Sequence, residues 1–140
     1  MNIRIQYDCL NIDWSYITEI LKNAGMAYFD SEIHIKAFEN SYTVLFVFDD
    51  DKLIGFGRAI SDGAYQGCIY DVAVIPEYQG KGIGKVIVEG ILKTIPQCNV
   101  LLYAAPGKEL FYEKLGFRKM KTGMALFLNS NSMKDRGFTE

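Results

Sequence analysis

Tyr70-Asp71-Val72-Ala73-Val74-Ile75-Pro76-Glu77-Tyr78-Gln79-Gly80-Lys81-Gly82-Ile83-Gly84-Lys85 decides how this 140-residue chain is read. A strand runs into a turn set by Pro76, and a Gly-rich loop then opens directly into a helix whose apolar residues include Val86, Ile87 and Ile91. Glycines at 80, 82 and 84 let the backbone come close to a ligand and leave several N–H groups pointing one way, at the positive end of the helix dipole. Lys81 and Lys85 add positive charge where helices ordinarily favour acidic residues, which points to an anionic ligand such as a phosphate or pyrophosphate. The plain alternative is a turn that only joins strand to helix. Three glycines at a helix start cost stability, which argues for a ligand instead.

Two better-known phosphate loops do not fit. A Walker loop places Gly five residues before Gly-Lys-Ser/Thr, and here Gln79 stands at the first position and Val86 at the hydroxyl position. A dinucleotide fingerprint needs Gly-x-Gly-x-x-Gly within a βαβ unit, whereas Gly80 and Gly82 are followed by Gly84 and Lys85, behind strands that read as antiparallel.

Upstream, Ile3 to Tyr7 alternates as a first strand, and Asp13 caps a helix through Ala24 that Gly25 stops. Ser31 opens a shorter helix to about Glu39. His34, between Ile33 and Ile35, reads as a surface or helix-edge residue. Thr43 to Phe48, Leu53 to Ile60 and Tyr65 to Ile75 read as three antiparallel strands joined by polar turns. Downstream, Val100 to Ala104 reads as a buried strand, Glu109 to Leu115 as a helix stopped by Gly116, and Met124 to Leu128 as a final strand. The expectation is a single α/β (α+β) domain over 1–140, with a polar tail at 129–140 that is mobile or an oligomer contact.

Composition narrows the function. Hydrophobic residues make up 49% and charged residues 23%, enough for a packed core and against disorder. A net charge of −2 does not announce a nucleic-acid partner, and no apolar run reaches the length of a membrane helix. Nothing at the start suggests export, so the cytoplasm is expected. Three scattered cysteines and one histidine make neither a disulfide framework nor a zinc site, so no metal is expected.

Gln79-Gly80-Lys81-Gly82-Ile83-Gly84 resembles the Gln/Arg-x-x-Gly-x-Gly/Ala signature of the GNAT superfamily of N-acetyltransferases, after a strand ending Val72-Ala73-Val74 as in that family. Phe111-Tyr112-Glu113-Lys114-Leu115-Gly116-Phe117 is similar to its late helix-to-strand motif. The resemblance implies a mostly antiparallel central sheet flanked by helices, with a splay between strands at about 68–75 and 99–104, and acetyl-CoA as co-substrate. Val72, Ala73 and Val74 would offer backbone groups to the pantetheine arm. Gln79, Gly80, Lys81, Gly82, Ile83, Gly84 and Lys85 would hold the pyrophosphate, and Tyr112 would stand near the sulfur. Ala105-Pro106-Gly107 replaces an Asn the family often carries there.

The implied reaction is acetyl transfer to a primary amine of a small molecule. A protein or peptide amine, or a non-catalytic acyl-CoA sensor, is the alternative. The chemistry needs a neutral amine, a donor for the oxyanion and a proton for the departing thiolate. A bulge or splay at Val72 to Val74 would free an N–H, with Val74 as donor. Tyr112 would be the general acid, since phenol and thiol have reference pKa values of about 10 and about 8.5. Asp71 is either a base facing the acceptor or a carboxylate paired with Arg58 or Arg4, and water alone is a third route. The acceptor pocket is expected from Tyr28 and Phe29 in the connection after Gly25, from Phe56 and Arg58, and from Tyr103, with a core role for the aromatics as the alternative. Pairing as a homodimer, through the tail or the last strand, also goes with the resemblance.

Overall fold

The structure is a computed structural model that describes residues 1–140. They pack as two compact units, Met1–Leu102 and Tyr103–Glu140. In the first unit β1 (Ile3–Gln6), β2 (Thr43–Asp49), β3 (Lys52–Ser61), β4 (Gln66–Val74) and β5 (Asn99–Leu101) form one sheet in that spatial order. Neighbours run antiparallel except β4 and β5, which are parallel.

Two layers of helix cover the sheet. Helix α1 (Trp14–Asn23) starts where the Asp13 carboxylate accepts the Tyr16 N–H at 3.3 Å, and the chain leaves it through Gly25 at φ +72°. Helix α2 (Ser31–Glu39) follows, one residue after Asp30 in the capping position. On this face Phe46 of β2 and Phe56 of β3 are register partners, and Phe38 of α2 stacks on Phe46 with centroids 5.7 Å apart. Trp14 closes the cluster edge-on to Phe38 at 5.4 Å.

Helix α3 (Ile83–Leu92) covers the other face. It lies so close that a Cβ on Gly90 would stand 2.5 Å from Leu45 Cδ1. With helices on both faces, β2 is buried continuously from Thr43 to Phe48, which is why its sequence runs apolar without alternation.

Two irregularities shape the functional edge. Phe56 pairs with Ala73 and Arg58 with Tyr70, so two residues of β4 oppose one of β3, and Asp71 in this bulge adopts φ +57°. The ladder between β4 and β5 runs from Gln66↔Asn99 to Cys68↔Leu101 and stops. Where a splay is expected the ladder ends because β5 is three residues long and stops before Ala104. Beyond Cys68, β4 has no strand on that side.

The second unit holds α4 (Glu109–Glu113) and α5 (Ser130–Asp135). Gly116, at φ +97°, ends the turn after α4 as expected. The expected final strand does not form: Met124 to Leu128 belongs to no ladder. Within it Phe127 packs edge-on to Tyr103 at 5.4 Å, while Met124, Leu126 and Leu128 are 95%, 98% and 107% exposed. Much of the segment expected as a tail is helical, with Met133 buried. No helix is long and apolar enough to cross a membrane.

Candidate functional site

The loop after β4 is defined by its backbone. A 3-10 turn at Pro76–Tyr78 re-aims the chain, and the Tyr78 hydroxyl donates to the Asp49 carboxylate, tying that turn to the end of β2. This bond holds the Asp49 carboxyl below its ordinary pKa and raises the Tyr78 phenol. Gly80 and Gly82 then take φ +75° and +84°, which L side chains rarely adopt, and nothing lies within 4 Å of where a Cβ would stand. Gly82 caps α3 with no side-chain hydrogen bond, and no acidic residue occupies the first turn. The N–H groups from Gly80 to Lys85 donate to no acceptor in the chain. Lys81 and Lys85 are both exposed at this end. Lys81 Nζ lies over the Tyr78 ring at 5.3 Å.

Gln79 behaves differently from the rest of the loop. Its N–H donates to the Pro76 carbonyl at 3.2 Å, so the expectation of a free amide at 79 does not hold. Its side chain is the useful part: Nε2 donates to the Val74 carbonyl at 2.9 Å and pins the loop to the end of β4. The Ile75 N–H donates to the Ile54 carbonyl across the β3 side. Strand alternation therefore turns the Val74 N–H and C=O to the opposite edge, the one β5 does not reach. A cleft of about 230 Å³ opens at this corner, lined by Tyr16, Glu19, Asn23, Val74, Pro76 and Gln79.

An unpartnered run of amides at a helix start, beside a strand edge that β5 does not reach, fits a diphosphate-bearing ligand with an extended arm. Similarity to known proteins decides the family. The acetyltransferase (GNAT) domain profile matches residues 40–119. This chain belongs to the GNAT acetyltransferase family.

It is 32% identical over 119 residues to the uncharacterized N-acetyltransferase ycf52 of Pyropia yezoensis, covering 83% of this chain and 64% of that one. The chain thus spans somewhat less than two thirds of that relative's length. The histone acetyltransferase TAP1 of Glycine max is 39% identical over 79 residues, 54% of this chain and 34% of its own. Among solved structures, SA2161 of meticillin-resistant Staphylococcus aureus, described as a probable acetyltransferase of unknown function, superposes with a TM-score of 0.77 at 30% identity. That match covers 89% of this chain and 98% of the other.

The remaining residues singled out in this GNAT chain differ in pairing and burial. Asp71 has its Oδ2 2.7 Å from Arg58 Nε, and the Arg58 guanidinium lies 5.6 Å from the Phe38 ring and 5.4 Å from Tyr70. The pairing alternative for Asp71 is thus the one realised. Phe56 is corrected: it has no exposed surface and belongs to the core, because it faces the α1–α2 layer beside Phe46. Tyr28 and Phe29 are about half exposed in the α1–α2 connection.

In the second unit Tyr112 lies edge-on to Phe111 at 4.9 Å and Phe117 at 5.8 Å, and burial pushes its phenol above the usual pKa. Tyr103 sits against Phe127 and Phe138. No group of three or more His, Cys, Asp or Glu side chains is placed to hold a metal ion.

Sequence reasoning missed His34. It is 3% exposed rather than at a helix edge, and its Nε2 accepts the Phe29 N–H at 2.9 Å. The available signal was its spacing from Phe38, four residues on and therefore on the same helical face.

Proposed function

We propose that this chain is an acetyl-CoA-dependent N-acetyltransferase that moves the acetyl group to a primary amine of a small molecule by direct attack. The observation that carries the reading is the set of unpartnered N–H groups from Gly80 to Lys85 at the start of α3, beside the open edge of β4. These amides, with Lys81 and Lys85, would hold the diphosphate, and Val72, Ala73 and Val74 would take the extended arm. Acetyl-CoA supplies an activated thioester when bound. The Val74 N–H, turned to the open edge, is the oxyanion donor in this reading, and loss of such a donor costs about 3 kcal/mol in comparable sites. Tyr112 is the proton source for the departing sulfur. Its raised pKa keeps the phenol protonated at neutral pH. Because Arg58 engages the Asp71 carboxylate, we assign deprotonation of the amine to solvent water and leave Asp71 to orient Arg58.

On the acceptor side the reading takes Tyr28, Phe29 and Arg58 as walls. Two exposed aromatics beside Asp30 and Glu32 suit a flat apolar amine that arrives as a cation. The likeness to a histone acetyltransferase over 79 residues favours a second reading, a lysine on a protein as acceptor. Activity on a peptide with none on a panel of free amines would decide for it. A sensor without turnover would bind acetyl-CoA and release no free thiol. Pairing of two copies is part of the same proposal, with the exposed Met124, Leu126 and Leu128 as available apolar surface.

Cofactor binding is the direct test. Acetyl-CoA at about 100 times its Kd should stabilise the protein by roughly 2.7 kcal/mol in a thermal melt, and an unchanged melting temperature at saturation would remove the reading. Gly82→Ala provides a finer check. No atom obstructs the new methyl, so the cost is the left-handed backbone alone, about 1–2 kcal/mol in a urea titration. If the amides are the cradle, the relaxed loop should also bind coenzyme A at least about tenfold more weakly, as isothermal titration would show.

A further inference from the structure

The connection between α1 and α2 is held at one residue from both sides. Gly25, at φ +72°, turns the chain out of α1, and Met26 donates its N–H to the Leu21 carbonyl. From there to Asp30 the chain has no regular structure. At Phe29 the carbonyl accepts the Thr18 hydroxyl of α1 at 3.0 Å, and the N–H donates to His34 Nε2 of α2 at 2.9 Å. The two fastenings are at Phe29, and Tyr28 and Phe29 are 48% and 52% exposed. His34 is itself almost fully buried, with its ring 5.8 Å from that of Phe29.

The chemistry of the second fastening is specific. A neutral imidazole accepts through one nitrogen, and a protonated imidazole donates through both. We propose that His34 is a positioning residue that latches the Tyr28–Phe29 loop, and that a proton on Nε2 opens the latch by turning its acceptor into a donor facing the Phe29 N–H. As an effect on acceptor binding, this rests on the reading of that loop as an acceptor wall.

The charged groups acting on His34 are the Asp71 carboxylate of β4 and the Arg58 guanidinium of β3, which are paired with each other; α1 contributes the neutral Thr18 hydroxyl to the same loop. Burial lowers the His34 pKa, Asp71 opposes this and Arg58 adds to it. The unfolded chain therefore binds the proton more readily than the folded one. The latch is closed at neutral pH, and stability is lost as pH falls below about 6.5, the reference value for free histidine.

The test uses the whole chain labelled with nitrogen-15 and titrated from pH 8 to 5. The Phe29 amide resonance and the His34 ring resonance should share one midpoint, and amide exchange at Phe29 should speed up by roughly tenfold on the acid side after correction for the intrinsic rate. His34→Leu should show the fast exchange at every pH. His34→Gln, whose side-chain oxygen can accept the same N–H, should keep protection and lose the titration. A Phe29 amide indifferent to pH in the wild-type chain overturns the latch, and that titration is decisive even if His34→Leu does not fold.

Kinetics then separate the two claims, using whichever of spermidine, glucosamine 6-phosphate or a lysine peptide is turned over. An acceptor KM raised several-fold in His34→Leu, with kcat little changed and restored by His34→Gln, supports latch and wall together. Loss of Phe29 protection with an unmoved KM leaves the latch standing and removes the wall.

Discussion

Tyr112→Phe is expected to lower kcat by roughly 10²–10⁴-fold, the range that a positioned general acid contributes, while coenzyme A affinity stays within a few-fold. The substitution removes one oxygen and keeps the ring, so the edge-on contacts to Phe111 and Phe117 survive and a folded variant results. Burial raises the Tyr112 pKa above that of free tyrosine. The proton-donating form therefore persists to more alkaline pH, and the wild-type rate should show no alkaline limb from this group below about pH 10. Steady-state rates of thiol release, with binding measured separately, check both parts. Wild-type turnover in the variant would reduce Tyr112 to an aromatic packing residue and leave the departing sulfur to draw its proton from water.

Phe56→Ala should have the largest effect on stability, about 3–5 kcal/mol, against a total of roughly 5–15 kcal/mol for a domain. Phe56 is fully buried, with its ring 5.9 Å from Phe38 and 6.4 Å from Phe46, so truncation leaves a hole between α2 and two central strands that cannot collapse without moving the sheet. A urea titration reads the loss. The same variant tests the correction of this residue from pocket wall to core. Near-native stability with a raised acceptor KM would return Phe56 to the site.

The left-handed turns of the loop after β4 were legible in sequence because their signal is a backbone requirement. Glycines at 80 and 82 do adopt left-handed conformations, and few other residues accept that backbone without strain. The Asp13 cap, the Gly25 stop and the three-strand meander were legible for similar reasons: each depends on neighbours within a few residues.

What failed depends on long-range structure. Asp71 does lie on the α2 face, paired with Arg58, while Val72 packs on the α3 face, but the extra residue in β4 and the left-handed backbone at Asp71 are set by pairing with β3 and have no local sequence signal. The pattern from Met124 to Leu128 has the apolar content of a strand, yet a strand exists only where another offers its edge, and none does here. His34 was misjudged from Ile33 and Ile35, its immediate neighbours, although on a helix the residue four positions away shares the face. For Gln79 the residue type was recognised and its use was not. The amide is consumed by a turn and the side chain by the Val74 carbonyl, and neither contact is written in the local motif.

The sheet's spatial order repeats its order along the chain. Strands one to four each close against the strand just made, so few distant segments must find one another, the situation that favours rapid folding. On a ribosome, where synthesis proceeds from the amino end at about 5–20 residues per second, the meander can assemble while the polypeptide is still being extended. Only the parallel pairing of β5 must wait, until α3 has been threaded past β4. The glycine loop after β4 would then be shaped before Tyr112 has left the exit tunnel.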